Sequence, residues 1–212
     1  MARHFELSPM GERPDDLCLL SEEEPDGRPA LRPQNRRFQC RKCGRVDEVA
    51  CFRQGLPDDF RGPVALDASY TVGEWVHVWS RRLADVVLPL AADHLDVFEL
   101  PGDPKYVVPW PRRMFEPPPD TRVCTPIEPG APGEPFQFRS RPCRKCGRRC
   151  STFVSESFVV PDDVVLAAVG IYFADGVARS LTWIVNEEIA QRVSAAELNN
   201  VKVANAFSAR AP

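Results

Sequence analysis

The sequence predicts a mixed α+β fold with two related strand–helix–strand halves, joined by a Pro-rich connector and stapled by a four-cysteine zinc site. Three observations predict it. The pentad Cys40-Arg41-Lys42-Cys43-Gly44 recurs as Cys143-Arg144-Lys145-Cys146-Gly147. Beyond each copy, an apolar run ends in a helix-capping residue and passes into a short amphipathic helix. Between the copies, residues 101–135 hold 11 of the 22 prolines.

Taken in order, Ser21 to Asp26 reads as an exposed acidic loop, with Glu22, Glu23, Glu24 and Asp26 around Pro25. Val64 to Thr71 is a strand candidate between turn residues. Val76-His77-Val78-Trp79-Ser80 is a strand ending at a good N-cap. Arg81 onward is a helix that Pro89 is expected to break, opening a new turn at its first position. Asp96 to Leu100 returns to extended chain. In the second copy Phe153 to Val160 alternates like a strand. Val164 to Phe173 is apolar enough for helix or buried strand, and periodicity does not arbitrate. Thr182 to Asn186 repeats the strand and cap. Glu187 and Glu188 then favour the positive start of a helix. Ser194 to Glu197 spells a capping box, and Asn200 to Val203 is the closing strand.

Proline removes an amide donor and fixes φ, so residues 101–135 are expected to be extended connection, neither helix nor central strand. Tyr106, Val107, Val108, Trp110, Met114 and Phe115 are too apolar for a free tether, so part of it should pack on the body. At roughly 100–200 residues per domain, we read residues 1–212 as a single domain. Its pseudo-repeat halves are about 36–100 and 139–204.

Two residues between cysteines let both sulfurs face one cation. A glycine after the second accepts positive φ, so the following amides can turn toward the sulfurs. Cys40, Cys43, Cys143 and Cys146 would supply the four ligands of a tetrahedral structural zinc. The pairs lie too far apart for a local finger, so the site would join the two halves. A thiol–disulfide redox pair, an iron–sulfur cluster and unmetallated thiols are the alternatives. Cys51 and Cys150 do not superpose on the repeat and read as core or bystander thiols, Cys150 being the more plausible substitute ligand; Cys18 and Cys124 stand alone and read as packed thiols.

Hydrophobic residues at 43% and charged residues at 27% exclude full disorder. A net charge of -3 gives no global field toward nucleic acid or membrane. That charge is unevenly spread. Residues 36–45 hold Arg36, Arg37, Arg41, Lys42 and Arg45, and residues 139–149 hold Arg139, Arg141, Arg144, Lys145, Arg148 and Arg149, with no acid in either segment. These are eleven of 27 basic residues, which leaves 16 against 30 acidic, a balance of -14. The clusters read as compensation for thiolates, or as a patch for phosphate or an acidic partner. No apolar run reaches the ~20 residues of a membrane helix, and the start lacks a secretory core. The expected compartment is therefore the cytoplasm, where cysteines stay reduced. Hydrolase, nucleotide-binding and metalloprotease motifs are absent. His4, His77 and His94 are scattered, and His77 reads as a strand histidine with a hydrogen-bond partner.

With its duplicated Cys-Arg-Lys-Cys-Gly pentads, its blocks and its length, the chain resembles the bacterial double-CXXCG motif immunity family of the Sit swarming-inhibition system. The resemblance covers most of the chain. It implies a non-enzymatic, cytoplasmic protein that binds and neutralises one cognate polymorphic toxin, and a metal role for Cys40, Cys43, Cys143 and Cys146. It names no toxin-contact residues. If the toxin is a basic nuclease, Glu22, Glu23 and Glu24 are the candidate contacts. No specific nucleic acid is expected as partner. The alternative function is a zinc-containing nucleic-acid-binding regulator resting on the basic clusters; a redox enzyme is the weaker third.

Overall fold

A computed structural model of the chain describes residues 2–10, 19–23, 29–63, 65–71, 76–115, 143–147, 160–172 and 179–205. In chain order these form β1 (His4–Pro9), β2 (Ser21–Glu23), β3 (Pro29–Leu31), α1 (Glu48–Gln54), β4 (Ala68–Tyr70), β5 (His77–Ser80), α2 (Arg81–Ala91), β6 (Leu95–Glu99), β7 (Tyr106–Pro111), β8 (Met114–Phe115), β9 (Leu166–Tyr172), β10 (Arg179–Asn186), α3 (Glu187–Ala195) and β11 (Val201–Asn205). The class is mixed α+β. One sheet runs β11-β1-β10-β9-β8, the other β4-β5-β7-β6, and β2 pairs with β3 in a short ribbon.

In the four-stranded sheet, β7 is antiparallel to both β5 and β6. The two strands flanking α2 in sequence therefore run parallel, with one strand between them. In the five-stranded sheet, β1 is likewise antiparallel to both β10 and β11, the strands flanking α3. Outside β5 lies antiparallel β4, and outside β10 lies antiparallel β9.

Both helices start as the sequence dictates. Ser80, in extended backbone, accepts from the Leu83 amide at 3.1 Å, and Asn186 accepts from the Ile189 amide at 3.0 Å. Leu83, Val87 and Ala91 recur every four residues and bury one face of α2; Ile189, Ala190 and Val193 do so for α3. The two helices pack against each other. Trp79 of β5 and Trp183 of β10 meet at a ring-centroid distance of 4.9 Å in the shared core. Among the described residues no helix is long and apolar enough to cross a membrane.

Four expectations are corrected. Residues 101–135 are expected to contain no central strand, yet β7 is central and wholly buried despite Pro109 and Pro111. The register explains it. Pro109 faces Val97 and Pro111 faces Leu95, while β5 pairs β7 only as far as Val107. The prolines sit in pairs whose amides point away from β6, and no β5 residue pairs with β7 beyond Val107, so no ladder bond is lost. The apolar residues of this stretch do pack on the body, as expected. Pro89 does not break its helix, because α2 continues to Ala91. Its missing amide would have bonded the carbonyl of Asp85, and both residues are exposed on the solvent side. Ser194 opens no new turn; it lies in the last turn of α3, and Glu197 turns the chain with φ 49°. Ser21–Glu23, expected as loop, is strand β2, paired with Pro29–Leu31.

Val164 to Phe173 resolves as strand β9 over Leu166–Tyr172. It lies between β10 and β8, where a continuous apolar run suits burial on both faces. The strand expected at Phe153 to Val160 lies outside the described residues apart from Val160.

Candidate metal centre

A 3-10 turn over Pro33–Phe38 leads into the first cysteine pair. An isolated antiparallel bridge between Gln39 and Val46 closes the loop at its base. The Cys40 amide donates to the Arg45 carbonyl at 2.8 Å, and the Gly44 amide to the Cys40 carbonyl at 2.8 Å. Gln39 Nε2 donates to the Gly44 carbonyl at 2.6 Å. Beyond the loop, Asp47 caps α1 by accepting from the Ala50 amide at 3.0 Å. The second pair has the same turn: Gly147 donates to the Cys143 carbonyl at 2.8 Å. Gly44 and Gly147 have φ of 74° and 73°, the left-handed conformation the pentads require of glycine.

The two turns face each other. Cys40 Sγ lies 3.9 Å from Cys143 Sγ, and Cys43 Sγ lies 3.6 Å from Cys146 Sγ. All four sulfurs lie within 4.8 Å of one another. A disulfide would need ~2.05 Å, and all four cysteines are free thiols. A tetrahedral ion with metal–sulfur bonds of ~2.3 Å has sulfur–sulfur edges of roughly 3.8 Å. The donor set therefore fits a metal ion, with every ligand supplied by protein. Cys40 and Cys143 are 7% and 9% exposed, and Cys43 and Cys146 are half-buried.

The electrostatics match this geometry. The backbone amides of Lys42 and then Cys43 donate toward the Cys40 sulfur and bring its pKa down to about 6. The Cys146 and Lys145 amides act in the same way on Cys143, whose thiol is also lowered. Burial instead pushes Cys43 up to about 12. A divalent cation held here would supply the charge that lets all four act as thiolates together.

The structure brings together all four cysteines that the sequence singled out. Cys51 is a buried thiol in α1, as expected. Cys18, Cys124 and Cys150 lie outside the described residues. So do Glu24 and the side chains of Glu22 and Glu23. His77 is the strand histidine expected: it is buried in β5, and its Nε2 donates to the Leu181 carbonyl at 2.7 Å. The basic cluster changes in one member. Arg45 is only 5% exposed, and its Nη1 donates to the Cys43 carbonyl at 3.0 Å, so it braces the loop instead of facing solvent. The bridge between Gln39 and Val46 places Arg45 in a closed hairpin, a pairing that no local sequence pattern announces.

Comparison with protein-family models, with curated proteins and with solved structures finds no match for this chain.

Proposed function

We propose that this chain is a zinc-stapled immunity protein that neutralises a cognate toxin by occlusion, without chemistry of its own. The observation that carries it is the four-sulfur cluster. Zinc held by Cys40, Cys43, Cys143 and Cys146 would be coordinatively closed, leaving no position for a substrate or an activated water. Such an ion joins distant parts of a chain and does no catalysis. The strand orders β4-β5-β7-β6 and β9-β10-β1-β11 support reading the chain as two related halves. On that reading the ion lies between equivalent cysteines of the two. The resemblance of the duplicated pentads to the double-CXXCG immunity proteins supplies the partner class and the cytoplasmic setting.

Two measurements test this. Protein purified without added metal should contain close to one zinc per chain. Cys143→Ser should lose the metal and unfold at markedly lower temperature, since structural zinc binding is itself folding free energy. An unchanged melting temperature would remove the staple. Co-expression with the toxin encoded beside its gene should restore growth and yield a complex saturating at one equivalent. Protection by substoichiometric protein with turnover would mean an enzyme.

A further inference from the structure

We propose that Arg41, Lys42, Arg144 and Lys145 form a cationic cap over the cysteine cluster that docks an acidic face of the toxin, an inference resting on the toxin-binding reading above. Each Arg-Lys pair occupies the two tip positions of a turn closed by Gly44 or Gly147. All four side chains are exposed. Because the four sulfurs lie within 4.8 Å, the two tips sit side by side. The cap is thus assembled from segments far apart in sequence.

Its cations differ from the arginines beside α2 and β7. Arg81, Arg82, Arg112 and Arg113 are each paired with a carboxylate, on Glu99, Asp67, Asp96 and Asp163 respectively. Among the described residues, no carboxylate approaches any of the four cap residues. A groove of about 500 Å³ along β6 also carries cations, but its Arg81 and Arg112 are already neutralised by Glu99 and Asp96. Thiolate compensation does not use up the cap. Four thiolates around a divalent ion carry -2, against four cap cations. Exposed Arg36 and Arg37, just before the first turn, add the same sign.

Charge balance favours a compact partner. Outside residues 36–45 and 139–149 the chain holds 16 basic against 30 acidic residues, so a long polyanion would face net negative charge. Stacking is also poorly served, because Phe38, the nearest ring in sequence, is half-buried beneath the Arg37 guanidinium at 4.9 Å. A compact acidic protein face fits, and its attraction would act mainly on association rate.

The test replaces all four residues with Gln and, separately, with Glu, and follows association with the toxin encoded beside its gene. The Gln set removes charge without placing new carboxylates beside thiolates, so metal content and melting temperature should stay at wild-type values. At low salt the Gln set should associate on the order of tenfold slower than wild type, the Glu set slower still, and the difference should shrink as salt rises. Equal association of wild type and the Gln set would overturn the cap while leaving immunity intact. Failure of wild type to bind or protect would overturn the immunity reading and the cap with it. Tighter binding of wild type to a short random-sequence DNA duplex than to the toxin, lost in the Gln set, would reassign the cap to nucleic acid.

Discussion

Beside α2, the gap between β5 and β6 is filled by β7, the next strand in the chain. Beside α3, the gap between β10 and β11 is filled by β1, from the opposite end of the described chain. The strand orders correspond, but the cost of closing them does not. The first block forms from contacts local in sequence. The second must bring His4 against Asn186 before β1 contributes anything, and such loop closure is slow and entropically unfavourable. A residue in β1 should therefore matter out of proportion to the length of that strand.

The harshest way to break the comparison is Leu7→Pro. Leu7 is 2% exposed and faces Trp183 on one side and Val203 on the other. The substitution removes a ladder donor from a central strand and empties a core position, which together should cost about 4 kcal/mol or more. In hydrogen exchange, protection should fall first over β10 and β11 and last over β5 to β7. Uniform loss across both sheets would mean the blocks do not differ in autonomy.

Next in size is acid sensitivity, which the blocks should not share. His77 and Trp183 each stand three residues before a helix cap, and their rings meet nearly edge-on at 6.0 Å. Only the first titrates. His77 Nε2 donates to a carbonyl, and Nδ1 is buried with no hydrogen-bond partner among the described residues. Protonation would bury a second N–H and a charge without an acceptor, so burial lowers the pKa from 6.5 to about 4. Between those values the unfolded chain binds a proton that the folded chain does not. Stability is thus full above pH ~6.5 and falls as pH drops toward 4, by about 3 kcal/mol at 1.36 kcal/mol per unit. His77→Gln should be less stable at neutral pH but lose this slope. A slope of wild-type steepness in His77→Gln would assign the acid sensitivity to other groups.

Legibility in the sequence divides along the same line. Ser80, Asn186 and both cysteine pairs are readable because each acts over a few residues: a cap accepts from the amide three residues on, and a knuckle turns on its own glycine. β7 escapes such a reading because a proline's effect depends on which neighbour its amide would have met, and that is fixed by register between strands. β9 is ambiguous because an apolar run carries no period once both faces are covered. The partnership of β1 with β10 leaves no local signal. That the two pentads meet is legible from their chemistry, since four thiols of matching spacing suit one ion. That Arg45 turns inward is not.

A finer probe compares the caps. Among the described residues the Asn186 side chain serves α3 alone. Ser80 Oγ accepts from the Leu83 amide and also donates to Asp67, which accepts in addition from Arg82 at 3.2 Å and from the Asn199 amide at 2.8 Å. Asn186→Ala should cost about 1 kcal/mol. Ser80→Ala should cost about 2 kcal/mol, because a buried carboxylate loses a donor as well. Equal losses in chemical denaturation would show that the Asp67 hydroxyl contact adds nothing to the cap.

The smallest expected difference concerns charge at the two helix starts. The first turn of α3 carries Glu187 and Glu188, so the helix offsets its own positive end. The first turn of α2 carries no acid and begins Arg81-Arg82. Its negative charge comes from outside, from Glu99 on β6 and from Asp67 just before β4. These sources differ in exposure. The Glu187 side chain is 46% exposed, whereas the Asp67 side chain is 5% exposed. Glu187→Gln should cost about 0.3–1 kcal/mol at low ionic strength, and nearly nothing at ~1 M salt, where the Debye length is ~3 Å. Asp67→Asn should cost more and keep most of its effect in high salt, since water and ions do not reach the carboxylate. Denaturation of both variants at the two salt concentrations separates the cases. If the Asp67→Asn loss fell with salt as steeply as that of Glu187→Gln, the start of α2 would be screened like an exposed surface, and the claim that one helix borrows buried charge while the other carries its own would fail.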